Sequence, residues 1–334
     1  MIIKSGKINW LLILQGWSML LVVIGHAGLS GIARNPNEPV ISLIETIIYS
    51  FHMPLFMAIS GYLLYSVSKV KKQSNYQFML GKFVRLGIPF LFFTIATLAI
   101  KPFFNSVVNR PTTFGWSEFT HVLLYPSDNP LGELWFISAL FWIFALSPIL
   151  LVAIRKTWSI LVMLSILLVC SQISFSWGGL FGINSIMAYL LWFYIGILGS
   201  KFDIHKLLFG YFRMILSIIS FGILFIVGCY YHTPVISILT TLSGCIMSVS
   251  LAVNADRLFP LIFNSFRNYT YQIFLMGIFF QCGFRIIYRH TLDPDYYVLC
   301  YIFNILLGVY VPVLIVKVIQ RINCKYINPL FGLK

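Results

Sequence analysis

Ten apolar runs of 18 to 28 residues organise the chain, and short polar segments separate them: 8–29, 40–67, 84–106, 132–154, 158–175, 183–200, 211–231, 235–254, 269–288 and 296–319. A helix rises 1.5 Å per residue, so about 20 apolar residues cross the hydrocarbon core of a bilayer. The pattern predicts an all-α, polytopic transmembrane helical bundle of about ten spans. No polar segment is long enough to fold by itself, so residues 1–334 read as one integral-membrane domain. One run carries its own break signal. Pro54 has no N–H for the carbonyl of Ser50 and its ring crowds that carbonyl, which predicts a helix kinked or opened beside His52.

Composition agrees with the pattern. Apolar residues make up 59% of the chain and charged residues only 10%, with a mean hydropathy of +0.90. A soluble domain carries about a quarter charged residues. The net charge of +14 raises nucleic acid as a partner, but the basic residues lie between apolar runs, where they act as topology signals and contacts to anionic lipid or phosphate. With the amino terminus in the cytoplasm, eighteen Lys and Arg fall on the inner side and five on the outer (Arg34, Lys101, Arg110, Arg285 and Arg289). That bias places both termini in the cytoplasm and implies a multi-pass protein of the cell (inner, cytoplasmic) membrane. Lys4 and Lys7 precede an apolar run longer than a signal-peptide core, so the first span reads as a retained anchor. Six cysteines without a C-x-x-C pair suggest neither a disulfide framework nor a metal site.

Ionisable and polar residues inside the runs are the candidate chemistry, because each is costly in hydrocarbon and tends to face a bundle interior or a wet cavity. Gln15 and His26 stand eleven residues apart in the first run, on one helical face and about 16 Å apart along it. In the second run His52 precedes Pro54, and Ser60 and Gly61 offer a hydroxyl and a gap for a thin ligand. A plainer reading holds for each histidine: a buried imidazole bonded to a neighbouring helix. Lys82 and Arg85 form an i, i+3 pair at the cytoplasmic boundary, suited to phosphate or to simple anchoring. Glu133 and Trp135 open the fourth run on the outer side, and Arg285 lies near the outer end of the ninth. The long outer connection 105–131 holds Trp116, Glu118, His121, Tyr125 and Asp128, which suit an interfacial flap or a carbohydrate-like ligand.

Four stretches together resemble membrane acyltransferase family 3, the polytopic O-acyltransferases that acylate extracytoplasmic sugars. They are Phe51-His52-Met53-Pro54-Leu55-Phe56 with Ser60-Gly61-Tyr62, then Gly16 through His26, then Lys82-x-x-Arg85 with Pro89, and finally Leu134-Trp135-Phe136. The resemblance implies that an acyl group, acetyl in the simplest case, moves from cytoplasmic acyl-CoA to a hydroxyl of an extracytoplasmic or lipid-linked saccharide. It implies acyl-CoA as co-substrate, a saccharide or glycolipid acceptor, membrane lipid as surroundings, and no bound cofactor, metal or nucleic acid. His26 takes the base role by that resemblance, with His52 a weaker candidate. By the same resemblance Lys82 and Arg85 handle the donor; by placement, Gln15, Ser60 and Gly61 are candidates to assist it, and Glu133, Trp135 and Arg285 are candidates on the acceptor side, with snorkelling the plainer role of Arg285. This chain departs from the family in having Gln15 where arginine is usual, Leu12 where an acid is usual, and no histidine after Tyr271 in Tyr271-Gln272-Ile273-Phe274-Leu275-Met276-Gly277. Two alternatives stay open: a transporter or flippase of a lipid-linked sugar, and a non-catalytic relative. The span boundaries put His26 near the outer end of its helix and His52 deeper, so they do not pair the two rings.

Overall fold

The computed structural model describes residues 8–29, 38–68, 74–106, 111–291, 296–322 and 324–333, with Glu38, Val67, Ser68, Arg289 and His290 described by backbone alone. Several of the Lys and Arg counted above to set topology lie outside the described residues: Lys4, Lys7, Arg34, Lys69, Lys71, Lys72, Arg110 and Lys334. In chain order the α-helices are α1 (Asn9–Gly25), α2 (Glu38–Tyr49), α3 (His52–Ser68), α4 (Asn75–Lys82), α5 (Ile88–Ile100), α6 (Trp116–Leu124) and α7 (Trp135–Ala153). They continue as α8 (Thr157–Cys170), α9 (Ile183–Lys201), α10 (Ile204–Leu207), α11 (Tyr211–Tyr230), α12 (Pro234–Leu258), α13 (Thr270–Thr291) and α14 (Tyr297–Ile322). The described residues include no strand. Among the described residues eight helical segments are long and apolar enough to cross a membrane, and the shorter α1 and α8 coincide with the first and fifth predicted spans. The chain has the all-α, polytopic architecture that its apolar runs predict.

By packing, the chain divides into two compact units: residues 1–62 with 199–314, and residues 63–198 with 315–334. In the first unit α1 packs against α2, α12 and α13, and α11 packs against α12. Close helix packing in a membrane protein favours small side chains, and α12 buries Ser243, Gly244, Ser248, Ser250 and Ala252. At the start of α1, the His205 imidazole stacks on Trp10 (centroids 4.9 Å) and its Nδ1 lies 3.1 Å from the Tyr62 hydroxyl. Burial holds this imidazole below its ordinary range; the Asp203 carboxylate opposes that shift and Lys206 reinforces it.

The second unit contains a helical run that changes pitch. Pro89 has no N–H for the carbonyl of Arg85, and the backbone widens into a π-helical turn over Phe83–Gly87 between α4 and α5. The outer connection forms α6 and a 3-10 turn over Pro126–Asp128, with His121 3.0 Å from Asp128 and stacked on Tyr125. Trp116 is 81% exposed and Phe114 69% exposed. An amphipathic helix that shows its rings outward suits an interfacial flap.

The break expected beside His52 is present. The run 40–67 is divided at Ser50 and Phe51, and Pro54 falls in the first turn of α3, where a proline sacrifices no helical hydrogen bond. The Ser50 carbonyl is taken instead by the Thr241 hydroxyl of α12 at 2.8 Å. Thr241→Val should therefore lower stability by about 1–3 kcal/mol, the cost of an orphaned buried carbonyl. In a Pro54→Ala background, where a backbone N–H is restored, the same change should cost less. Thermal unfolding of the four proteins in detergent measures the difference, and equal costs in both backgrounds would refute the exchange of donors.

Candidate functional site

The site begins with backbone accounting at the end of α1. The last carbonyls of a helix have no helical donor, and in hydrocarbon no water replaces it. Side chains do so here for Val23, Gly25 and Ala27, and add a second donor at Ile24, whose carbonyl also takes the Ala27 N–H at 3.1 Å. Gln281 Nε2 donates to the Val23 carbonyl (2.8 Å), the Tyr301 hydroxyl to Ile24 (3.2 Å), the Tyr49 hydroxyl to Gly25 (3.0 Å) and Asn304 Nδ2 to Ala27 (2.9 Å). Gln281 and Asn304 are 1% and 0% exposed. Their approach depends on glycine: a Cβ on Gly277 would stand 2.8 Å from the Gly308 carbonyl oxygen, and one on Gly308 would stand 2.9 Å from both Val23 and Gln281. An apolar cluster of Ala27, Leu29, Ile41, Tyr288, Tyr297 and Tyr301 packs around the same end.

His26 is the residue that follows α1, with its own N–H bonded to the Val22 carbonyl at 3.1 Å. Its half-buried imidazole has Nδ1 3.2 Å from the Tyr49 hydroxyl, and the two rings meet edge to face at 5.8 Å and 84°. Tyr49 meets His52 on another side at 4.9 Å and 79°. His52 is 2% exposed and its Nδ1 lies 2.9 Å from the Ile48 carbonyl. A carbonyl oxygen only accepts, so His52 Nδ1 carries the proton.

Two charged groups complete the arrangement. The Glu45 carboxylate presses on Gly28, where an added Cβ would overlap its oxygen. The Arg285 guanidinium is in Coulombic range of both His26 and Glu45, and its Nη2 donates to Cys282 Sγ at 3.0 Å. The two histidines that the span boundaries kept apart thus flank one tyrosine, with Arg285 nearby.

The other predicted residues lie elsewhere. Gln15 sits half-buried on α1, three turns before His26. Ser60 donates back to the Phe56 carbonyl of its own helix at 2.9 Å, so its hydroxyl is engaged, and Gly61 is buried beside it. Lys82 and Arg85 belong to the second unit and differ in surroundings. Lys82 Nζ lies 3.4 Å above the Phe144 ring and 5.2 Å from that of Phe78, whereas Arg85 is exposed. Glu133 lies in the 3-10 turn Gly132–Leu134 that leads into α7, and Trp135 packs on Tyr189 at 5.3 Å. Among the described residues no group of three or more His, Cys, Asp or Glu is placed to hold a metal ion.

Sequence reasoning missed Tyr49, Glu45, Gln281, Tyr301 and Asn304 as parts of the site. A signal existed for the first two. Glu45, Tyr49 and His52 are spaced i, i+4, i+7, the period of one helical face. Gln281 and Asn304 are amides inside apolar runs, which marks them as interhelical donors but not for a particular partner.

A family model described as an acyltransferase domain matches residues 8–313. The chain belongs to that acyltransferase family. Two curated relatives of this acyltransferase-family chain are nodulation proteins NolL. That of Sinorhizobium fredii (strain NBRC 101917 / NGR234) is 34% identical over 137 residues, covering 40% of this chain and 34% of the relative. That of Mesorhizobium japonicum (strain LMG 29417 / CECT 9101 / MAFF 303099) is 34% identical over 136 residues, covering 41% and 34%. The chain therefore spans about a third of the length of the curated relatives it matches. No solved structure matches it.

If the carbonyl donors fix the end of α1, removing one leaves a buried acceptor unpaired. Gln281→Leu and Asn304→Leu should each lose about 1–3 kcal/mol. The measurement is the unfolding midpoint of detergent-solubilised protein, and unchanged midpoints for both variants would contradict the arrangement.

Proposed function

We propose that the protein is an O-acyltransferase of the cytoplasmic membrane, moving an acyl group, acetyl in the simplest case, from acyl-CoA to a hydroxyl of an extracytoplasmic or lipid-linked saccharide. Family membership supports the reaction class. The observation that carries the site is His26, held at a side-chain-capped helix end beside Tyr49, His52 and Arg285.

Acyl transfer from a thioester needs a base for the incoming hydroxyl and groups that bear the charge formed. The His26 imidazole takes the hydroxyl proton as the oxygen attacks the thioester carbonyl. The tetrahedral intermediate then expels the CoA thiolate as the C–S bond breaks. The thiolate receives the proton back from the imidazolium, so His26 returns to its neutral form. Arg285 is a cation near His26 for the oxyanion or for an anionic acceptor, and Glu45 limits its net charge. Lys82 and Arg85 take the donor's phosphates on the cytoplasmic side. Arg85 is the stronger of the pair for this role, because the Lys82 ammonium already rests on aromatic faces. Gln15, Glu133 and Trp135 remain candidates for donor and acceptor contacts respectively.

A second reading has one observation in its favour. A helix broken at Ser50 and Phe51 beside a buried histidine is a feature that transporters use near the middle of the membrane. A single experiment separates the readings: purified protein is incubated with labelled acetyl-CoA and candidate glycans or glycolipids. Acyl transfer puts label in the saccharide, transport moves a lipid-linked sugar without label, and a non-catalytic relative does neither. In the first case His26→Ala should lower kcat by about 10²–10⁴, the usual range for removal of a general base. Arg85→Ala should raise KM for the donor about 10-fold or more, the loss of one charge-assisted contact. Full transfer by His26→Ala would remove the base assignment.

A further inference from the structure

Helix directions place the charged neighbours of His26. Gly16 of α1 packs against Phe263 and Arg267, and Val23 accepts from Gln281, so α13 runs parallel to α1. Arg285 stands one turn beyond Gln281, level with the residues that follow Gly25. The α2 helix returns the opposite way: a Cβ on Gly25 would meet Ile48 and Tyr49, and one on Gly28 would overlap the Glu45 carboxylate. His26 is thus framed by Tyr49 and Glu45 from α2 and by Arg285 from α13. This side of the unit is open, since His26, Glu45 and Arg285 are each partly exposed and Tyr49 is 49% exposed.

Glu45 and Arg285 carry opposite charges, lie in Coulombic range of each other and do not pair. Among the described residues Glu45 accepts no hydrogen bond and forms no ion pair, and the guanidinium donates only to Cys282 Sγ at 3.0 Å. The Tyr301 hydroxyl, also in range of Glu45, gives its proton to the Ile24 carbonyl. Partly enclosed charges beside an apolar cluster ordinarily close on each other. A carboxylate and a guanidinium held apart keep their acceptors and donors for a polar ligand between them.

We propose that Glu45 and Arg285 bind an uncharged sugar ring by two of its hydroxyls and present a third to His26, an inference that rests on the acyltransferase reading. The chemistry selects the ligand class. A hydroxyl carries one donor and two lone pairs, so neighbouring hydroxyls of one ring can donate to Glu45 and accept from Arg285 at once. A sugar carboxylate would be drawn by Arg285 and repelled by Glu45, and a free amino sugar would meet the reverse. Arg285 then serves a neutral acceptor rather than an anionic one. Attachment at two points also fixes how the ring is turned, which decides the hydroxyl that reaches the imidazole. Glu45 and Arg285 are therefore binding residues that set the site of acylation, and neither takes part in the bonds that form or break.

The test is saturation-transfer NMR on the purified full chain in detergent. The probes are the methyl glycosides of glucose, galactose and mannose, and those of the three matching uronic acids. The wild type should bind at least one neutral glycoside about 10-fold more tightly than its uronate, the worth of one charge-assisted contact. Glu45→Gln keeps the shape of the side chain and leaves Arg285 unbalanced, so the preference should reverse toward the uronate. Glu45→Gln with Arg285→Gln should lose that new preference. An unfolded variant cannot gain uronate binding, so the reversal does not depend on comparing stabilities. A wild type that binds no neutral glycoside, or that prefers the uronate, overturns the proposal. A Glu45→Gln protein with an unchanged preference overturns it too. Labelled acetyl-CoA separates the site from the reaction. The expected reversal with no label in any saccharide sinks the transferase reading and leaves a sugar site standing. Label transfer whose acceptor KM is unmoved by Glu45→Gln sinks the site and leaves the transferase reading standing.

Discussion

A helix that stops in apolar surroundings must give its last carbonyls to protein donors, and the first unit meets that requirement at the end of α1. Water would satisfy those oxygens in a soluble protein, and the final turn would fray. Here Gln281, Tyr301, Tyr49 and Asn304 reach in from α13, α14 and α2. Each bond contributes about 1 kcal/mol net, but at Val23, Gly25 and Ala27, unlike Ile24 with its Ala27 N–H, its loss leaves an acceptor without that donor and costs more. The asymmetry makes the end of α1 a fixed point, and His26 leaves the helix from it. An imidazole on a freely fraying turn would hold no defined direction.

The same accounting explains the two proline-containing motifs. Pro54 cannot serve the Ser50 carbonyl, and Thr241 of α12 does so, which ties the break between α2 and α3 to a neighbouring helix. Pro89 cannot serve Arg85, and the backbone between α4 and α5 responds with a π-helical turn. In one case a side chain replaces the missing donor; in the other the helix changes pitch. Both adjustments lie next to residues with candidate chemistry, His52 in the first and Lys82 with Arg85 in the second. Non-helical backbone at membrane depth persists where protein covers it.

Hydropathy alone made the spans legible, because a bilayer demands about 20 apolar residues whatever their order. The 211–231 run is α11 to within a residue at its end. Interruptions were less legible. The first run reads as apolar to Leu29, yet α1 ends at Gly25, since side-chain donors rather than polar residues terminate it. The break in the second run, by contrast, was legible: it falls beside His52 because Pro54 affects the residue four positions back. His26, His52 and Arg285 stood out singly as ionisable groups in apolar surroundings. Their convergence did not, because it depends on how α2 returns against α1, and no periodicity encodes that return. Tyr49 was overlooked for a simpler reason: it carries no charge, so the cost argument that flags a histidine passes over it.

Two imidazoles so close raise the question of which one reacts, and burial separates them. His52 is almost wholly enclosed, its Nδ1 is committed to the Ile48 carbonyl, and its ring packs on Tyr49. His26 is half-buried at a helix end. An acceptor hydroxyl must come within hydrogen-bond reach of the base, about 3 Å, which favours the more open ring. Proximity also makes the two unequal once one is charged: an imidazolium at His26 disfavours a second cation at His52. His52 therefore serves best as a neutral wall for Tyr49. In the proposed reaction the motif that most resembles the acyltransferase signature would act through packing and hydrogen bonding, and the proton would pass through the histidine that ends α1.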